Sequence, residues 1–139
     1  MEINYLAVLV CAVLAMVIGA LWYGPLFGNM WLRVIGATEM DLATRAAMQK
    51  KAMPLYVVQF LLTLFQVFVL AEQMAWGGWK PQTLGVSIFI FLGYVMPTIA
   101  ASCMWNNDSR KIAWTRFLIQ AGYQLVVFVL FGLILQMWV

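Results

Sequence analysis

The chain has 139 residues, of which 65% are hydrophobic and 9% charged, with a mean hydropathy of +0.93 and a formal net charge of +3. A water-soluble domain of this length needs far more polar surface, so soluble enzyme and nucleic-acid-binding classes are excluded. Four apolar runs, about 3–23, 54–74, 82–105 and 113–138, are each long enough to cross a hydrocarbon core of ~30 Å at ~1.5 Å per residue. They predict an all-α integral membrane four-helix bundle of up-down topology, with residues 1–139 forming a single transmembrane domain.

The first run is preceded only by Met1 and Glu2, so it lacks a basic leader segment, and it is too long for a signal-peptide core. It reads as a retained helix. Ala12, Ala15 and Gly19 give it a small-residue face for close helix approach. Trp22 and Tyr23 sit at its end as interfacial anchors, and Gly24-Pro25 is expected to terminate it. Phe27, Met30 and Trp31 then continue along the membrane surface without a charge before Arg33.

The connection 24–53 is the only long one. Thr38 and Asp41 form an imperfect capping box, Glu39 and Asp41 suit a helix start, and Arg45, Lys50 and Lys51 suit its end. A short interfacial cytoplasmic helix over about 39–52 is expected, running into the second span at Pro54. The second span leads into a tight turn, AWGGWKPQ, with two tryptophans at headgroup depth; Glu72, near that end, is placed to face Lys80 or water. The third span ends in the polar turn WNNDSRK, where Asp108 or Ser109 can cap the fourth. The first and third runs each carry Gly then Pro near one end, Gly19 with Pro25 and Gly93 with Pro97, a faint sign of a duplicated hairpin.

Of the eight Lys and Arg residues, only Lys80 lies between the second and third spans. The other seven lie in or beside the connections 24–53 and 106–112, which the positive-inside rule places in the cytoplasm, with both termini outside. Topology and attraction to anionic lipid headgroups account for the basic balance, so no nucleic-acid partner is implied.

The chain has no histidine, which removes imidazole-based metal sites, haem ligation by His and His acid–base catalysis. Cys11 and Cys103 are expected at depths differing by roughly 15–20 Å, too far for a disulfide. Glu72 is the only carboxylate inside a span, and it lies near an end, where a proton-coupled exporter would need a midplane acid. No cofactor and no catalytic residue are expected.

What remains is neutral and polar. Gln59, Thr63, Gln66 and Gln73 share one face of the second span, and Arg116, Gln120 and Gln124 recur every fourth residue on the fourth. Counting from the span starts matches Gln59 with Gln120 and Gln66 with Gln124 in depth. Thr98 and Ser102 on the third span, with Trp22 and Tyr23 on the first, join them at one end. Amides in hydrocarbon need partners, so these groups are expected to point inward, either as interhelical glue or as a polar-lined cavity for a headgroup or amphiphile. Arg116 either snorkels to headgroups or pairs with an anionic ligand.

The stretches MEINYLAVLVCAVLAMVIGALWYGPLFGNMW and FLIQAGYQLVVFVLFGLILQMW resemble a domain-of-unknown-function family of small bacterial membrane proteins. That family shows an M-x-x-N-[YW] start, a G-A-x-W-Y-G-P-L-F-G signature and a closing A-G-Y-[QH]-L segment. The resemblance implies four transmembrane helices and a bacterial inner-membrane setting, and brings no activity or ligand with it. This chain departs from the family at Trp105-Asn106-Asn107-Asp108-Ser109-Arg110, where the family has a Phe-Glu-x-Arg-like element.

Three roles are compatible with these residues. The first is a non-catalytic module binding membrane lipids, an amphiphile or a partner helix, as a homo-oligomer or accessory subunit. The second is a small oligomeric transporter or channel along Gln59, Gln66, Gln120 and Gln124. The third, a membrane-embedded transferase-type enzyme, lacks the clustered Glu-Arg-Asn constellation of the small four-helix glutathione-using family.

Overall fold

The computed structural model describes residues 2–138, apart from the Lys80 side chain; the expected proximity of Glu72 to Lys80 therefore lies outside the described residues. Among them the chain is all helical: α1 (Tyr5–Leu21), α2 (Gly28–Val34), α3 (Leu42–Gly77), α4 (Thr83–Ile90), α5 (Met96–Met104) and α6 (Arg110–Met137). Two π-helical turns interrupt this order, Trp22–Leu26 after α1 and Phe91–Val95 between α4 and α5. Counting through those turns, Tyr5–Leu26, Leu42–Gly77, Thr83–Met104 and Arg110–Met137 are four helices long and apolar enough to cross a membrane.

Asn4 starts α1: its side-chain oxygen accepts from the amides of Leu6 at 3.1 Å and Ala7 at 3.2 Å, two donors a helix start otherwise leaves open. Val8, Cys11 and Ala15 then form one buried stripe against Val67, Leu70, Ala71 and Met74 of α3 and Val127 and Phe131 of α6. The residues at 11 and 15 are small, which brings the helix axes close and maximises dispersion contacts where no hydrophobic force separates protein from lipid.

Pro25 does not end the first span as expected. Its missing amide breaks the regular ladder, and the backbone answers by widening one turn, with the Phe27 amide donating to the Trp22 carbonyl at 2.9 Å, five residues back. The helix stops only at Phe27, and α2 begins at once. The second widened turn, Phe91–Val95, directly precedes the α5 helix that carries Pro97.

A second difference concerns the connection after α2. The short surface helix expected over about 39–52, running into the span at Pro54, is not a separate element, because Leu42–Gly77 is one helix with Pro54 inside it. Its cap is Asp41, not Thr38: the carboxylate accepts from the Thr44 amide at 2.7 Å, and the Thr44 side chain and amide together hold its pKa below the usual range. At ~1.5 Å per residue, these 36 residues reach well past the ~30 Å of a hydrocarbon core. Arg45, Lys50 and Lys51 all lie in the first third, where that excess length accommodates charge outside the apolar layer. Gly78 closes the helix in the left-handed conformation at φ 63°, which favours glycine.

The fourth span is the common wall. α6 packs against α4, α5, α1 and α2, whereas α3 lies mainly on α1. Close approach to α4 depends on Gly132, where an added Cβ would stand 2.8 Å from the Leu84 Cα and 3.1 Å from the Ser87 Cβ. Just beside it, the fully buried Ser87 hydroxyl donates to the Phe128 carbonyl at 2.6 Å, and the Leu84 amide donates to the Gln136 side chain at 3.2 Å. Gly132→Ala should therefore force the two backbones apart and cost roughly 1–3 kcal/mol. A detergent unfolding titration in which this variant matches the parent would show that α4 and α6 do not meet this closely.

Candidate functional site

Near the middle of the chain's last helix, α6 receives both widened turns on adjacent faces. The first turn arrives through Trp22. Its indole N–H donates to the Ile119 carbonyl at 2.9 Å, and its ring lies so close to α6 that a Cβ on Gly122 would sit 3.0 Å from it. Such a carbonyl already serves its own helix and uses its second lone pair here. The neighbouring Tyr23 ring stands edge-on to Trp31 at 4.9 Å and to Tyr123 at 5.7 Å between centroids. These are the tilted aromatic geometries favoured by ring quadrupoles.

Tyr123 ties this cluster to α1. Its hydroxyl donates to the Ala15 carbonyl at 2.7 Å, beside Gly19, where a Cβ would lie 3.2 Å from the same oxygen. Two turns earlier on α6, Arg116 makes an ion pair with Asp108 through Nε at 3.1 Å. Its guanidinium also donates to the Val34 carbonyl at 3.5 Å and lies 5.9 Å from the centroid of the Trp31 ring. Arg116 thus fastens α2 and the turn before α6 together. Asp108 is engaged by this pair, so Ser109 caps α6, accepting from the Ile112 amide at 3.4 Å.

The second widened turn meets the adjoining face of α6. Phe91 and Phe128 face each other at 6.1 Å, and Ala121 is buried with them among Val95, Met96, Ile99 and Phe117. Gln124 falls within this face, three residues after Ala121 and four before Phe128. Its amide oxygen is buried and has no hydrogen-bond partner among the described residues. One turn away, the Gln120 amide oxygen accepts from the Cys103 thiol at 3.6 Å, a weak donor. Two amide oxygens on successive turns are therefore poorly served in an apolar setting, where an unmet acceptor is costly.

The ten residues singled out from the sequence divide into two groups. Trp22, Tyr23, Arg116, Gln120 and Gln124 gather on or against α6. Gln59, Thr63 and Gln66 stay on α3: Gln59 is exposed and donates to the Thr63 hydroxyl at 3.2 Å, which in turn donates to the Gln59 carbonyl at 2.8 Å. No hydrogen bond joins these side chains to the amides of α6 among the described residues. Thr98 and Ser102 are exposed on α5 and donate to carbonyls of their own span, Tyr94 at 2.6 Å and Ile99 at 3.0 Å. In-helix bonding of this kind satisfies a hydroxyl without any neighbour.

Tyr123, Trp31, Asp108 and Cys103 complete the cluster although the stripe of amides did not point to them. Tyr123 adjoins Gln124 in AGYQL, and its placement next to Gly122 was the available signal; Asp108 gave none, since any polar turn carries such a residue. Both cysteines are buried and free, Cys11 among the apolar contacts of α1 and Cys103 against Gln120.

Comparison with known proteins identifies one family. Residues 6–136 match the model described as a protein of unknown function, DUF1761. No curated protein and no solved structure matches the chain.

Tyr123→Phe keeps the ring contact with Tyr23 and removes only the hydroxyl that reaches the Ala15 carbonyl. It is expected to lower stability by about 0.5–1.5 kcal/mol, measured as a shift in the detergent unfolding midpoint. No shift would mean that this bond does not hold α6 to α1.

Proposed function

Because the chain belongs to the DUF1761 family, whose description carries no activity, we propose from its own residues that it is a non-catalytic membrane module that binds a small amphiphile against α6. The observation that carries this reading is the buried, unpartnered amide oxygen of Gln124 beside the second widened turn. Natural proteins leave few buried polar atoms unmatched, and those that are left commonly mark a site awaiting a water or ligand. Widened helical turns recur at functional sites for a related reason, because they disturb the regular backbone ladder. In secondary transporters, interruptions at corresponding places in two apolar segments point to the substrate site.

The site is uncharged apart from the Arg116–Asp108 ion pair. This supports recognition by hydrogen bonding and shape over acid–base chemistry. A solute path through Gln59, Gln66, Gln120 and Gln124 is less well supported, since Gln59 bonds within α3 and α3 packs mainly on α1. The outward residues of α3, among them Leu55, Leu62 and Phe65, are more than half exposed and suit acyl chains or a second copy of the chain. Charge distribution supports an up-down arrangement in a bacterial inner membrane with 24–53 and 106–112 in the cytoplasm and both termini outside.

Native mass spectrometry of the protein released from nanodiscs made with bacterial lipid extract tests the binding role. One amphiphile should remain bound after the annular lipids are stripped, and its occupancy should fall at least several-fold in Gln124→Leu; a bare parent protein would refute the module. For orientation, single cysteines introduced as Asn107→Cys and Glu2→Cys should react with a membrane-impermeant maleimide from opposite sides. Labelling of Asn107→Cys from the periplasm would invert the topology.

A further inference from the structure

The chemistry around Gln124 narrows what the site takes. We propose that its ligand is a neutral lipophile bearing a hydroxyl group, held by donation of that O–H to the Gln124 amide oxygen. This rests on the reading of α6 as a binding surface and adds the class of ligand to it.

Three features select this class. The first is the sense of the unmet bond: an amide oxygen can only accept, so the ligand must donate. Gln120, one turn away, offers a second amide oxygen whose only partner among the described residues is the Cys103 thiol at 3.6 Å, a bond readily exchanged for a stronger donor. The second is charge. The chain's five carboxylates are Glu2, Glu39, Asp41, Glu72 and Asp108; none neighbours Gln124 along α6, and Asp108 is held by Arg116. A cationic donor such as an amine would be stripped of water here without an anion to compensate it, which is strongly unfavourable. An anionic headgroup offers the amide oxygen no donor, and with Arg116 already paired to Asp108 its buried charge would go equally uncompensated.

The third is depth and surroundings. Gln124 lies 14 residues into the 28-residue α6, halfway along it, and shares a helix face with Ala121 and Phe128, which pack with Phe91 of the second widened turn. That position sits about 21 Å along the helix, far from either end, where a bulky hydrated headgroup would have to shed its water. A single hydroxyl on a hydrocarbon frame meets all three conditions, with its O–H on Gln124 and its apolar body against the phenylalanines.

The test uses two probes that differ in one group, 1-decanol and its methyl ether, added at equal concentrations to purified full-length protein in nanodiscs, with thermal unfolding as the readout. Decanol at roughly ten times its dissociation constant should raise the midpoint by about 3–8 °C, while the ether, which cannot donate, should leave it within error. Gln124→Leu should respond alike to both probes, and Gln73→Leu, altered on the exposed side of α3, should keep the parent's preference for the alcohol. Equal stabilisation of the parent by both probes would overturn the hydroxyl assignment while leaving a lipophile-binding surface in place. If neither probe moves the parent, an internal water fills the amide oxygen and the binding module itself fails. Gln124→Leu buries an alkyl group among apolar neighbours, so its fold is expected to survive; should it not, Gln124→Met removes the same acceptor with a more adaptable chain.

Discussion

The glycines of α6 set how close everything else comes. At Gly132 the backbone of α4 approaches to a distance no side chain would permit, and at Gly122 the indole of Trp22 lies 3.0 Å from where a Cβ would stand. In a lipid-facing protein the apolar solvent gives helices no reason to prefer each other over acyl chains, so contact has to be won by fit and by a few directed hydrogen bonds. Both appear side by side on α6: Ser87 bonds to the carbonyl of Phe128 next to Gly132, and Trp22 bonds to the carbonyl of Ile119 next to Gly122. The small residue admits the neighbour and the adjacent carbonyl holds it.

The two widened turns follow from a related tension. Pro25 and Pro97 each remove an amide donor from a helical segment. The backbone's response at Trp22–Leu26 is a longer-range bond to Trp22, which keeps the chain helical and turns Trp22 and Tyr23 toward α6. A wall of aromatic rings results on one side, with Phe91 of the second turn against Phe128 on the other, and Gln124 shares the α6 face of Ala121 and Phe128. Between these two sides one buried amide oxygen, that of Gln124, has no partner among the described residues.

Most of the fold was legible in composition and pattern. Four long apolar runs and their short polar links are direct consequences of the need to match hydrocarbon thickness, and the structure has four helices with that capacity. The small-residue stripe of α1 was also visible, since Ala12 and Ala15 are fully buried. Boundaries were harder to read. Pro25 reads as a stop and Pro54 as the start of a span, yet helical structure continues through both, because a lone proline is tolerated when the flanking turns bond well.

The amino-acid sequence alone determined that this is a four-span apolar chain, where its charges fall, and that its buried chemistry must be neutral and amide-based, because those are properties of composition and of spacing along one strand of chain. Which amides meet was decided only by tertiary structure. Helical periodicity places Gln59 and Gln66 on one face of α3, yet it carries no information about the neighbour that face will find. Gln59 keeps its hydrogen bonds within α3, which packs on α1 through Val67, Leu70, Ala71 and Met74, and among the described residues the Gln124 amide oxygen on α6 is an acceptor without a donor.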